Sequence, residues 1–204
     1  FRVPRGQKVS AAACSIEPDM SSAFAIAAVA AVSGRATLTD FPAQSLQPDV
    51  QFTSILSTMG APVRKTPAGL TVEMAPRLNG VRVNLKSSPD LFPVLAALAA
   101  LAHGPSDLFG APQIVHKESN RLERMAVLIE RLGRKVLRKP DGLEILGDSP
   151  VARGGPIDFD SDQDHRLAFA GAVLRSAGIN VKVLHPQVVS KSLPDFWKIV
   201  GGHG

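Results

Sequence analysis

Three stretches of this chain are apolar or small at nearly every position: residues 23–31, 94–101 and 167–174. A helix with no polar face has to be buried on every side, so they predict three innermost helices. Each stretch is opened by an aspartate, Asp19, Asp90 or Asp164, and these openings lie 71 and 74 residues apart. A second pattern recurs with them. Residues 52–60 and 121–133 are amphipathic and close on Gly60 and Gly133, 73 residues apart, and residues 196–201 begin the same pattern again. In the first two copies a pair of short strands follows, 62–65 with 70–74 and 135–137 with 143–146. Their turns, Pro67-Ala68-Gly69 and Pro140-Asp141-Gly142, have hairpin chemistry.

Each unit therefore reads helix, strand, helix, hairpin, and the chain reads as two and a half units of an α/β fold. The economical arrangement puts the apolar helices inside and the sheets outside, the reverse of a doubly wound fold. Two different elements recurring at nearly one spacing argue for a true repeat over a shared preference for alanine. Residues 1–16 fall outside the repeat and are expected to be a strand or linker from a preceding domain.

Composition narrows the partners more than the fold. With 204 residues, 45% apolar and 20% charged, the chain is an ordinary globular domain or a small pair, not a disordered or fibrous one. Its longest apolar run, residues 23–32, is far short of the roughly 20 residues that a membrane span needs. The net charge of +5 favours anionic partners without choosing among nucleic acid, acidic membrane and small phosphorylated ligands. A lone cysteine, Cys14, excludes an internal disulfide and fits a reducing, cytoplasmic setting. Five scattered histidines suggest no metal site, and ten aromatics without a tyrosine make a base-stacking surface a poor expectation. Phe1 in place of Met, no signal segment, and a Gly-Gly-His-Gly end (expected to fray) lead to the expectation of an excised piece.

Chemistry-bearing residues gather where the helices open. Asp90 follows Ser87-Ser88-Pro89 and has two readings: a cap for free amides, or a functional carboxylate. A helix starting near the segment 113–121 would put Lys117, Glu118 and Arg121 on one face at its N-terminus. Such pairs are often solvated salt bridges worth little. Two cations at the positive end of a helix are nevertheless a poor choice for stability, and a bound anion would explain them. Arg166 beside Asp164, and Lys191 in a Ser-Lys-Ser loop before Pro194, pose the same question.

Six motifs in order carry a resemblance. They are Glu17-Pro18-Asp19, Met59-Gly60-Ala61, Ser88-Pro89-Asp90, His116-Lys117-Glu118-Ser119-Asn120-Arg121, Asp164-His165-Arg166 and Ser190-Lys191-Ser192. In sequence and spacing the chain resembles the carboxyl-terminal part of the 3-phosphoshikimate 1-carboxyvinyltransferase (enolpyruvyl-shikimate-phosphate synthase) family. The likeness covers nearly all of the chain but only about half of the family's usual length. It implies an enolpyruvyl transferase-like inside-out α/β domain over residues 17–204, with repeats near 17–89, 90–163 and 164–204. It also implies an amino-terminal domain of the same polypeptide, with substrates bound in the cleft between the two. The implied reaction moves the enolpyruvyl group of phosphoenolpyruvate to the 5-hydroxyl of shikimate 3-phosphate and releases phosphate, without metal or organic cofactor.

By position in the motifs, the resemblance implies Asp90 as proton acceptor and shikimate contact, and Glu118 as proton donor. It implies Gln113, where many members have Asn, and Lys117 as ligands of shikimate 3-phosphate, and Arg121, Arg166 and Lys191 as the phosphoenolpyruvate clamp. His165 is expected to be structural. Lys117 and Arg121 should pull the Glu118 carboxyl down. Two departures stand out: Asn120 replaces the usual Asp, and Gln47-Pro48-Asp49 replaces Gln-Gly-Asp, a change expected to concern loop geometry and not the site. The rivals are the sister transferase acting on UDP-N-acetylglucosamine, which lacks the Lys-Glu-x-x-Arg grouping, a non-catalytic remnant, and a basic nucleic-acid-binding module. The last is weakened by cations that stand singly, with few aromatics.

Overall fold

The computed structural model describes residues 2–8, 13, 16–147, 151 and 154–201; Cys14, residues 202–204 and much of 1–16 lie outside them. The first unit runs α1 (Met20–Ser33), β1 (Arg35–Leu38), a 3-10 turn (Pro48–Gln51), α2 (Phe52–Thr58), β2 (Val63–Thr66) and β3 (Gly69–Glu73). The second runs β4 (Arg82–Asn84), a 3-10 turn (Pro89–Leu91), α3 (Phe92–Leu101), β5 (Ser106–Phe109) and a 3-10 turn (Pro112–His116). It continues through α4 (Arg121–Arg131), β6 (Lys135–Lys139) and β7 (Gly142–Leu146). The third has β8 (Ile157–Asp160), α5 (His165–Ser176), β9 (Val181–Leu184), a 3-10 turn (Pro186–Lys191) and α6 (Phe196–Ile199). The four 3-10 turns among the described residues all start on proline, whose fixed φ suits a first helical position.

The all-round apolar stretches are the inner helices, as their composition requires. Nine consecutive residues of α3, Phe92 to Ala100, are buried, as are Leu167 to Leu174 of α5 and ten of the fourteen residues of α1. α1, α3 and α5 pack against one another, and the sheets lie outside them. Small side chains permit the close approach: a β-carbon on Gly171 of α5 would sit 2.6 Å from a methyl of Val183 in β9. Where α3 ends, the buried Arg134 donates to the carbonyls of Ala100 and Ala102, supplying partners that a helix C-terminus lacks, and also to the carbonyl of Gly147 just after β7. In contrast, α4 is amphipathic. It buries Leu122, Met125 and Ile129, and its outer Glu123 and Glu130 are both held by Arg138 of β6.

Both expected hairpins form, with Thr66 paired to Gly69 and Lys139 to Gly142 across two-residue loops. The expected unit is corrected in one respect. A strand precedes α3 and another precedes α5: β4 pairs parallel with β5 and β8 parallel with β9, so each of these two inner helices is the crossover of a β-α-β unit. These strands have three and four residues, each with one buried side chain, too short to write a period into the sequence. The sheet orders are β1-β3-β2, β4-β5-β7-β6 and β8-β9.

Candidate functional site

The openings of the three inner helices converge, and their aspartates take different work. Asp19 caps α1, accepting from the amides and hydroxyls of Ser21 and Ser22. Asp164 caps α5 through the Arg166 amide. Asp90 caps nothing: it lies inside the 3-10 turn, and its carboxylate faces cations. The capping alternative for Asp90 is therefore set aside, and it is the one of the three free to do chemistry.

The centre of the cluster is Arg121, whose side chain is 1% exposed. Its Nε donates to Asp164 Oδ2, its Nη1 to Asp90 Oδ1 and its Nη2 to Glu118 Oε2, each at 2.7 Å. Ser119 adds a hydroxyl hydrogen bond to Asp164 Oδ2 at 3.1 Å. Asp162 and Gln163, both in the left-handed backbone region, turn the chain so that Asp164 meets this guanidinium. Around the rim, Lys117 Nζ is 3.4 Å from Asp90 Oδ1 and Arg166 Nη2 is 3.4 Å from Asp90 Oδ2. Lys191 Nζ donates to Glu118 Oε1 at 2.7 Å. Lys191 is half exposed, and Lys117 and Glu118 are each about a third exposed, so the cations can be reached from outside.

This arrangement differs from the expected one on the helix. α4 starts at Arg121 and not earlier, with Gln113 on the preceding 3-10 turn and Lys117 just beyond it, so Lys117, Glu118 and Arg121 do not share a helical face. The anions that justify Arg121 at a helix N-terminus are the chain's own carboxylates. Gln113 is exposed and outside the ion cluster. Asn120, which replaces the usual Asp, caps α4: its side-chain oxygen accepts from the Glu123 amide.

The charges bias the two carboxylates similarly but through different neighbours. Burial would raise Asp90, but Arg166, Arg121 and Lys117 together hold it below the usual carboxylate range. Burial also works against Glu118, yet the hydrogen bond from Lys191 and the charge of Arg121 bring it down to about 2. Lys191, not Lys117, is the lysine that does this. Asp49 goes the other way: burial, then the charges of Asp90 and Asp19 against Arg166 and Lys117, push it up to about 6. The Gln47-Pro48-Asp49 segment thus bears on the site after all. Gln47 clamps the opening of α1 through Pro18 O and the Met20 amide and carries Asp49 into reach of Asp90. His165 is buried against the edge of Phe169, and its imidazole is lowered by burial and by Arg166.

Sequence reasoning misses Asp49 and Asp164 as site residues. For Asp164 a signal exists, since it occupies the same opening position as Asp90 one unit later. For Asp49 there is none, because most of its charged neighbours, Asp90, Arg166 and Lys117, are supplied by other units.

Residues 1–200 match the EPSP synthase family (3-phosphoshikimate 1-carboxyvinyltransferase). The 3-phosphoshikimate 1-carboxyvinyltransferase of Methanoculleus marisnigri is 35% identical over 208 residues, covering 100% of this chain and 48% of that relative. That of Syntrophobacter fumaroxidans is 37% identical over 199 residues, covering 96% and 46%. Among solved structures, an EPSP synthase from Acinetobacter baumannii superposes with a TM-score of 0.71 at 26% identity, covering 89% of this chain and 44% of that one. The enolpyruvyl transferase NikO from Streptomyces tendae gives 0.64 at 20% identity over 90% and 42%, a likeness of fold alone. The chain spans about half the length of the curated relatives it matches.

Proposed function

The chain belongs to the EPSP synthase family, and on that premise we propose that it forms one wall of an enolpyruvyl transferase cleft. The second wall is a further domain of the same polypeptide. The reaction moves the enolpyruvyl group of phosphoenolpyruvate to the 5-hydroxyl of shikimate 3-phosphate and releases phosphate. One observation carries this reading: a single buried guanidinium, Arg121, holds two partly exposed carboxylates, Asp90 and Glu118, each also touched by a reachable cation.

That geometry supplies what the chemistry demands. An attacking hydroxyl needs a proton acceptor, and the methylene carbon of the enol needs a proton donor, whose conjugate base takes a proton back from the resulting methyl as phosphate leaves and the double bond re-forms. Asp90, ionised and free of capping duty, is the acceptor. Glu118 is the donor, and it must first gain a proton. Phosphoenolpyruvate promotes this by drawing Lys191 away from Glu118 Oε1, removing the strongest of the interactions that hold the carboxyl down. Lys191 and Arg166 take the phosphate and carboxylate of phosphoenolpyruvate, with Arg121 supplying buried charge beneath them. Lys117 and Gln113 take the phosphate of shikimate 3-phosphate, so that Lys117 leaves Asp90 as the acceptor substrate arrives.

The test is phosphate release by the polypeptide that contains this chain, with phosphoenolpyruvate and either shikimate 3-phosphate or UDP-N-acetylglucosamine as acceptor. Turnover with shikimate 3-phosphate alone is expected. Turnover with the nucleotide sugar alone would replace this reading with the sister reaction, and no turnover with either would reject transfer altogether.

A further inference from the structure

The turn that carries Asp49, Pro48–Gln51, is fastened on both sides to the openings of inner helices. On one side the Gln47 side chain donates to the Pro18 carbonyl and accepts from the Met20 amide, where α1 opens. On the other, the Gln51 side chain donates to the hydroxyl of the fully buried Ser88, immediately before the turn Pro89–Leu91 that holds Asp90. Asp49 stands between these two anchors. Its Oδ1 is buried and has no hydrogen-bond partner among the described residues. The cations nearby, Arg166 and Lys117, make their ion pairs with Asp90. A buried carboxylate oxygen without a donor is costly, and an amide of the same shape would avoid the charge. Stability therefore gives no reason for an aspartate at this position.

Asp90 has the opposite difficulty. Arg166, Arg121 and Lys117 hold its charge so firmly that it is a weak base, and general-base catalysis follows base strength. A negative charge beside it works against those cations. The coupling is mutual: since the charge of Asp90 makes Asp49 harder to ionise, an ionised Asp49 raises the proton affinity of Asp90 by the same free energy. We propose that Asp49 is a positioning residue for the reaction, its negative charge making Asp90 a stronger acceptor of the hydroxyl proton.

The role in catalysis rests on the transferase reading above. The charged groups that face Asp49 are Asp90 from the turn before α3, Asp19 at the opening of α1, Arg166 of α5 and Lys117 before α4. Burial, then Asp90 and Asp19, outweigh the two cations and hold the Asp49 carboxyl up at about 6. Below that pH Asp49 is neutral and lends Asp90 nothing; above it Asp49 is ionised and the acceptor is strengthened. The substrates are anions that engage Arg166 and Lys117, so they move this boundary upward and not downward.

The experiment compares kcat of Asp49→Asn with that of the native full polypeptide at about pH 5.5 and about pH 8.5; their ratio cancels the titration of Glu118 common to both. The variant is expected to match the native enzyme within about twofold at the lower pH and to turn over about three- to tenfold more slowly at the higher, the effect of up to one pKa unit on a general base. Equal rates at both pH values, or an equal loss at both, would overturn the proposal, since a merely structural role has no reason to follow the charge. A second measurement is independent of turnover. In the polypeptide with carbon-13 in its aspartate carboxyls, the NMR titration midpoint of Asp49 should fall when Asp90 is replaced by Asn. An unchanged midpoint would reject the coupling itself, and a lowered midpoint in a polypeptide without transferase activity would uphold the coupling and reject the function.

Discussion

At the residue scale, Asp49 and Glu118 make opposite predictions about pH. The folded chain holds Asp49 near 6, above the ordinary 3.8, so its ionisation opposes folding. Stability is lost as pH rises from about 4 through 6, and Asp49→Asn should be the more stable form above that range. A rise of that size, discounted for partial exposure, corresponds to about 1–2 kcal/mol. Thermal melts of both forms at pH 8 and pH 4 should show a gap that closes at the lower pH; an equal gap at both would mean the effect is not ionisation. Glu118 is held near 2, below the ordinary 4.5. Its contribution is complete above 4.5 and is lost as pH falls from 4.5 towards 2. Glu118→Gln should therefore show a shallower acid limb in the same melts.

The elements show what a sequence can and cannot announce. Inner helices declare themselves because full burial forbids a polar face, and the hairpins because their turns need Pro, Asp and Gly. β4 and β8 stay silent, since three or four residues with one buried side chain resemble any loop. The ion cluster is legible only in part. Glu118 and Arg121 lie close in the chain, but Arg121 meets Asp164 across 43 residues, and nothing local signals that partner. Arg134 is equally invisible: nothing in the sequence around Gly133 marks it, although it is buried and caps α3. Replacing it with Met keeps bulk but leaves three buried carbonyls short of a donor. By the usual penalty for an unpaired buried group, Arg134→Met should cost about 2–4 kcal/mol in denaturant melts. A change within about 0.5 kcal/mol would show that the carbonyls find other partners.

For the whole molecule, the openings of the three inner helices converge on one ion cluster, whose Lys117 and Lys191 are reachable from outside. A cleft reaction needs groups from both walls, so this chain alone should release no phosphate from the substrate pair, while the longer polypeptide should. The central claim is that Arg121 gathers Asp90 and Glu118 as acceptor and donor, and the most direct measurement is the turnover of Glu118→Gln in that polypeptide. The substitution keeps shape and hydrogen bonding but removes the transferable proton. A fall of about 10²–10⁴-fold in kcat, with phosphoenolpyruvate affinity within about tenfold of native, is the result predicted; native turnover would contradict it and reduce Glu118 to a surface partner of Lys191 and Arg121.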